Sequence, residues 1–131
     1  MSTPVTATQL RALVVLGGMI GTAARYGLYE AWPADGTGFP ATTLAVNAIG
    51  AGLLGLLVAS APGASPGLQQ FARVGVLGGF TTFSTFAVEL ATRIRDDRVA
   101  VTAAYVVTMT VTGVAAAALG LRLGGRLRVQ P

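Results

Sequence analysis

The chain has 131 residues, of which 53% are hydrophobic and 11% are charged, and its mean hydropathy is +0.67. Soluble domains average about 25% charged residues, so this composition argues against a water-soluble globule and indicates lipid as the solvent. The net charge is +4, and there is no His and no Cys, which removes the imidazole bases, thiolate nucleophiles and usual metal ligands of most enzymes. An enzyme is therefore not expected. The Arg residues lie at intervals between apolar segments and form no basic stripe with exposed aromatics. A nucleic-acid partner is therefore not expected either.

Long uncharged stretches predict membrane-spanning helices, because each span needs about 20 mostly apolar residues. The first predicted span covers residues 10–30, in which Arg11 and Arg25 interrupt an apolar run. A turn with Pro and Gly follows at residues 32–40, where Trp32 suits the headgroup boundary. The second span, residues 39–61, lies within 37 consecutive uncharged positions and ends at the break that Pro62 introduces.

The third and fourth spans differ in character. Only 15 uncharged residues separate Arg73 from Glu89, so the third span reaches an adequate length only by extending over residues 68–94. The fourth span, residues 99–123, begins with 23 uncharged positions. The sequence thus predicts an all-α membrane protein, with one four-helix transmembrane domain over residues 1–131.

Small residues four positions apart predict close contacts between these helices, since such spacing lets backbones approach in lipid. The pairs are Gly17 with Gly21, Gly75 with Gly79, Gly113 with Ala117, and Gly120 with Gly124.

The distribution of Arg residues sets no clear orientation. The predicted spans place five on one side of the membrane (Arg11, Arg73, Arg122, Arg126 and Arg128) and three on the other (Arg93, Arg95 and Arg98). This positive-inside bias is weak, and insertion in both orientations is expected.

Polar side chains near mid-span are informative, because lipid makes them unfavourable unless something pairs with them or uses them. Asn47, in the apolar sequence LAVNAIG, carries two amide donors that suit an anion. An interhelical hydrogen bond is the alternative role for this side chain. The other polar residues of this kind lie in the third and fourth spans: Thr81, Thr82, Ser84, Thr85, Thr108, Thr110 and Thr112.

The segment GGFTTFSTF at residues 78–86 predicts a break in the third helix, since paired Gly followed by hydroxyl residues is poor helix interior. Broken helices persist in membranes where the freed backbone groups meet a substrate or an ion. Phe83 and Phe86 are three positions apart and share a face. Their positive ring edges, with nearby hydroxyl donors, suit a small anion, while packing against lipid is the alternative for the two rings.

Three motifs occur in order along the chain: GGMIGTAARYG at 17–27, LAVNAIG at 44–50 and GGFTTFSTF at 78–86. Together they resemble the CrcB/Fluc fluoride-channel family over nearly the whole sequence. The resemblance implies four short transmembrane helices, with a broken third helix, in an antiparallel dual-topology dimer with two fluoride pores. The near-balance of Arg residues agrees with such assembly. A paralogous subunit in place of a second copy stays open.

The resemblance also implies roles for particular residues in a fluoride pathway. Phe83 and Phe86 match the aromatic residues that line the pathway in this family, and Asn47 matches a hydrogen-bond donor in the pore. The further polar candidates are Thr82, Ser84 and Tyr105.

Two other sites follow from the same resemblance. A structural sodium ion at the dimer interface is expected on the backbone carbonyls of Gly78 and Thr81, at the break in the third helix. Arg25 matches the family's Arg at the end of the first span, where it would draw anions toward a vestibule. Snorkelling of Arg25 to the headgroups is the alternative.

Some positions depart from the family pattern. Ala51 and Gly52 stand where the family often has Ser and a bulky residue. In the fourth span, four-residue steps from Tyr105 reach Met109 and Gly113 rather than hydroxyl residues, and Thr108 and Thr112 lie on an adjacent stripe. Glu89 matches a family acid, for which a solvated carboxylate near the helix end is the simpler interpretation.

The sequence therefore predicts a passive fluoride-selective channel in the plasma membrane of a bacterium, exporting cytoplasmic fluoride. Its expected partners are fluoride, the bilayer and a second subunit. One alternative is a small proton-coupled multidrug exporter, also a four-span dimer, but that class depends on a Glu within the first span. Here only apolar and small residues lie between Arg11 and Arg25 in that span. A non-transporting membrane scaffold held by the Gly contacts is the other alternative.

Overall fold

The computed structural model of the chain describes residues 5–33 and 38–128. The described residues form helices and no strand: α1 (Ala7–Ala31), α2 (Ala41–Ser60), α3 (residues 66–80), α4 (Ser84–Arg95) and α5 (Val99–Leu127). Within the described ranges, four helical stretches are long and apolar enough to cross a membrane, with α3 and α4 together supplying the third. The prediction of an all-α protein with four membrane-length helices is confirmed. Of the predicted turn at 32–40, positions 34–37 lie outside the described residues.

The start of α1 is set by a capping box. The backbone N–H of Thr6 donates to Gln9 Oε1 at 2.8 Å, and the Gln9 N–H donates to Thr6 Oγ1 at 3.3 Å. Two N–H groups that the helix itself cannot satisfy thereby find acceptors. At the other end, Thr42 Oγ1 donates to the carbonyl of Trp32 at 2.6 Å, which ties the end of α1 to the start of α2.

The third membrane-length stretch is irregular in the middle. Ser65 caps α3 by accepting from the Leu68 N–H at 3.3 Å, and residues Gln69–Leu77 have π-helical hydrogen bonding. The helix ends at Phe80, and Thr81 is extended with φ −74° and ψ 159°. Helix resumes at Ser84, so residues 81–83 lie outside both α3 and α4.

The helices pack as two pairs, α1 with α3 and α2 with α5. A methyl group added to Gly21 would overlap the backbone carbonyl of Val76, and one added to Gly120 would overlap the carbonyl of Gly52. Backbone therefore lies directly on backbone at both contacts, as the spacing of small residues predicts. Gly113 is the exception, since a methyl group there would meet nothing within 4 Å.

Polar side chains join the two pairs. The Arg73 guanidinium on α3 donates to the carbonyls of Leu57 and Ala61 at 2.9 and 2.8 Å, at the end of α2. The last carbonyls of a helix carry partial negative charge, so a cation is favourable there. Arg73 thus stabilises the end of α2 as well as the contact between the pairs.

Candidate functional site

The centre of the candidate site is a clamp between α2 and the non-helical residues 81–83. Asn47 Nδ2 donates to the carbonyl of Thr82 at 2.9 Å, and the Thr82 N–H donates to Asn47 Oδ1 at 2.8 Å. Asn47 Nδ2 also lies 3.7 Å from Met109 Sδ on α5. Thr82 lies outside both helices, so its backbone N–H and carbonyl lack helical partners. The single amide of Asn47 satisfies both groups. The interhelical hydrogen bond considered for Asn47 is present, and it is made to backbone.

Hydroxyl groups complete the start of α4. Thr82 is 6% exposed, and its Oγ1 accepts from the backbone N–H of Thr85 at 3.1 Å. The same hydroxyl lies 3.0 Å from Thr85 Oγ1 and 3.3 Å from Ser84 Oγ. The Thr82 oxygen thereby satisfies a first-turn donor of α4. Ser84 is exposed.

A row of aromatic rings leads inward from this point. Phe83 is 79% exposed, and its ring centroid lies 6.1 Å from that of Phe86. Phe86 in turn lies 5.1 Å from Tyr105, with ring edge toward ring face, and Tyr105 is fully buried. Phe39 contacts the same Tyr105 ring at 5.3 Å. The row thus joins the exposed Phe83, just before α4, to the interior of the chain.

Glu89 stands at the inner end of this row, which corrects its interpretation as a solvated carboxylate. Its Oε1 accepts from Thr43 Oγ1 and its Oε2 from the Tyr105 hydroxyl, both at 2.7 Å. Thr43 is also 2.8 Å from the Tyr29 hydroxyl. The half-buried carboxylate is therefore held by hydroxyls from α2 and α5, because the contact of these helices brings them to one face of α4.

Sequence reasoning did not identify Thr43 or this role of Glu89. The spacing did contain a signal, since Thr43 precedes Asn47 by four positions and Glu89 follows Phe86 by three. Residues so spaced share a helix face. Which side chain on α5 they would meet depended on the packing of that helix.

Most of the candidate residues line one cleft of about 470 Å³. It includes Asn47, Thr81, Thr82, Phe83 and Phe86, together with Gly78 and Arg73. From α5, Met109 and Gly113 line the cleft, so the four-residue steps from Tyr105 do face it. The Oγ1 of Thr112, on the adjacent stripe, instead donates to the carbonyl of Thr108 at 2.6 Å within α5.

Three candidates lie apart from the cleft lining. Tyr105 and Ser84 adjoin it through Phe86 and Thr82 respectively. Arg25 is half-buried on α1 and is not among the residues that line this cleft.

The interruption of the third stretch changes the donors available to two carbonyls. In a continuous α-helix the carbonyls of Gly78 and Thr81 would accept from the N–H groups of Thr82 and Thr85. Here those N–H groups donate instead to Asn47 Oδ1 and Thr82 Oγ1. Gly78 and Thr81 also line the cleft. Among the described residues, no group of three His, Cys, Asp or Glu could hold a metal ion, so a cation here would depend on carbonyl oxygens.

The chain matches one family model, described as "CrcB-like protein, Camphor Resistance (CrcB)", over residues 12–121. A protein of Rhodococcus jostii named "Fluoride-specific ion channel FluC 1" is 43% identical over 125 residues, which cover 95% of this chain and 93% of that protein. "Fluoride-specific ion channel FluC" of Thermus thermophilus is 45% identical over 119 residues, covering 88% and 93%. A protein of the same name in Agrobacterium fabrum is 41% identical over 121 residues, covering 88% and 96%.

Proposed function

The chain belongs to the CrcB family, and we propose that it is a fluoride-specific ion channel through which cytoplasmic fluoride leaves a bacterium by passive permeation. The resemblance in the three sequence motifs is thereby confirmed. The relatives are named as ion channels, so the chain is not an enzyme, and the multidrug-exporter alternative is not favoured.

The row of rings from Phe83 through Phe86 to Tyr105 is the observation that carries the proposal. Fluoride is small and strongly hydrated, so a selective path must replace its water with several donors in a narrow space. Aromatic ring edges carry partial positive charge. Hydroxyl and amide groups lie beside the row on Asn47, Thr82 and Thr85. A path of this composition offers positive partial charges without binding a single anion too strongly to release it.

The residues take separate roles in this proposal. Phe83 and Phe86 line the path, and Tyr105 continues it at the inner end. Asn47 places the Thr82 backbone and presents an amide edge to the cleft, with Thr82 and Ser84 as hydroxyl donors. Arg25 would attract anions to a vestibule from its position in α1.

We also propose that two copies assemble in antiparallel orientation, in the plasma membrane of a bacterium. The cleft that holds Asn47 and Phe83 opens to the outside of the single chain, where Phe83 is 79% exposed. A partner seated on this face would narrow the cleft to the width of an ion and cover the ring. The weak Arg bias supports opposite insertion of the two copies.

The carbonyls of Gly78 and Thr81 fit a structural sodium ion at the centre of such a dimer. Hard cations prefer oxygen ligands, and the helical N–H donors of both carbonyls are engaged elsewhere. A two-fold axis beside them would bring the same pair from the second copy. The bound ion would supply positive charge that holds four carbonyl oxygens together. The interruption at residues 81–83 frees these carbonyls from their helical N–H donors.

Fluoride efflux from proteoliposomes loaded with potassium fluoride, followed with a fluoride electrode after a potassium ionophore is added to carry the compensating charge, tests the function. The purified chain should release fluoride rapidly while chloride stays inside. Equal chloride flux, or no fluoride flux from properly assembled protein, would overturn the proposal. In the latter case the scaffold alternative would be favoured.

A further inference from the structure

Arg93 lies close to the inner end of the aromatic row and is buried. It is 6% exposed, whereas the sequence groups it with Arg95 and Arg98 at one side of the membrane, near the end of the third predicted span. Its guanidinium carbon lies 5.8 Å from the centroid of the Tyr105 ring, within the range of a cation–π contact. Burial follows because the last turn of α4 packs over Tyr105 and the segment before α2.

The hydrogen bonds of Arg93 leave its charge in place. Nη1 donates to the carbonyl of Glu89 at 3.0 Å, and Nη2 donates to the carbonyl of Gly38 at 2.8 Å. Its buried Nε has no hydrogen-bond partner among the described residues. Both acceptors are neutral, so the guanidinium is held in one position and remains a positive centre beside Tyr105.

The opposite charge lies one helical turn away on the carboxylate of Glu89. This carboxylate accepts from the hydroxyl groups of Thr43 and Tyr105 rather than from Arg93. A negative charge at this point opposes the passage of any anion, and the low dielectric of the membrane interior strengthens the repulsion. Tyr105 contacts both groups, since its hydroxyl binds Glu89 and its ring faces Arg93.

We propose that Arg93 is a positioning residue for the anion path, one that offsets the field of Glu89 and holds the Tyr105 ring at the inner end. The inference rests on the proposed channel function. Glu89 then orients the hydroxyls of Thr43 and Tyr105 without closing the path to anions. Arg93 makes no direct ion pair with the carboxylate of Glu89. Its positive charge therefore offsets that of the carboxylate while both carboxylate oxygens still accept from hydroxyl groups.

Substitutions that separate charge from hydrogen bonding test this role in the fluoride efflux assay. Arg93→Lys keeps the charge and should retain flux within roughly threefold, whereas Arg93→Gln keeps donors without charge and should lower flux roughly tenfold or more. Arg95→Gln is the matched control, because Arg95 is an exposed Arg in the same last turn of α4. Equal losses in the Lys and Gln variants, or full flux in Arg93→Gln, would overturn the proposal.

A second measurement does not depend on flux. Thermal unfolding in detergent should show a lower melting temperature for Arg93→Gln, because Glu89 is then a half-buried charge without compensation. Adding Glu89→Gln to that variant should restore part of the loss, and no restoration would contradict charge compensation. If the unmodified chain carries no fluoride, the proposed function fails, while this comparison still reports on the pairing of Arg93 with Glu89.

Discussion

Asn47 and Thr82 are joined by two hydrogen bonds of 2.9 and 2.8 Å between one side-chain amide and both backbone groups of one residue. The contact fixes the non-helical residues 81–83 against α2. It also takes the Thr82 N–H away from the carbonyl of Gly78. The Asn47 side chain therefore both shapes the cleft and removes the helical donor of the Gly78 carbonyl.

Replacing Asn47 should therefore affect both stability and transport. Asn47→Asp loses the Nδ2 donor and turns an anionic oxygen toward the Thr82 carbonyl, and Asn47→Leu leaves two backbone groups unpaired, each at about 1–3 kcal/mol. We expect a lower melting temperature and fluoride efflux reduced by about an order of magnitude or more in both variants. Thr110→Val is the control, because Thr110 is exposed and donates within α5 to the Val106 carbonyl. Normal flux in Asn47→Asp would show that the path avoids this amide.

Phe83 and Phe86 should separate transport from folding. Phe83 is mostly exposed in the single chain, whereas Phe86 packs on Tyr105. Phe83→Ile should reduce fluoride flux strongly with little change in the melting temperature of the chain, and Phe86→Ile should reduce both. Val88→Ala, at an exposed apolar position on α4, should change neither quantity. Unchanged flux in Phe83→Ile would place the path elsewhere.

The close contact of α1 with α3 can be tested with two glycines of one helix. A methyl group at Gly21 overlaps backbone of α3, while one at Gly27 meets nothing within 4 Å. Gly21→Ala should destabilise the fold by about 1–3 kcal/mol through overpacking. Gly27→Ala should be neutral or slightly stabilising, since Ala favours helix over Gly. Thermal unfolding of both variants in the same detergent measures the difference, and equal stabilities would contradict the packing.

Sodium removal should weaken the proposed dimer. Protein prepared with a bulky organic cation in place of sodium lacks a small ion for the carbonyls of Gly78 and Thr81. We expect lower fluoride efflux and partial dissociation, seen by mass measurement of the detergent complex, with recovery when sodium is returned. Full flux and full dimer in sodium-free protein would count against a structural ion at this position.

Dual topology can be tested by labelling an introduced cysteine, because the chain itself contains no Cys. A single Cys in place of Gly63, in the exposed loop between α2 and α3, reports on which side of the membrane that loop lies. In intact cells a membrane-impermeant maleimide should label about half of the molecules from outside, as two equally populated orientations require. Labelling of all or none would show one fixed orientation.

Much of the helical framework follows from local composition. The apolar runs of adequate length, the Pro and Gly at their ends and the four-residue spacing of small residues correspond to helices and contacts that the structure contains. Gly113 illustrates the limit of such spacing: it pairs with Ala117 in sequence, yet it faces the cleft rather than another helix. The spacing of small residues identifies a helix face that allows close approach, but it does not identify what packs against that face.

The candidate site also combines features that the sequence predicts with features that only the packing of the helices determines. Composition alone indicates that lipid surrounds the chain, and the sequence motifs predict that a path for an ion uses amide, hydroxyl and aromatic groups, because few other polar atoms lie within the spans. The environment of Glu89 and Arg93 came only from the folded chain. Their neighbours Thr43, Gly38 and Tyr105 are far from them in sequence, and the packing of α2 and α5 against α4 brings them together. Burial of a charge depends on such long-range contacts, whereas the tendency of an apolar stretch to cross a membrane is local.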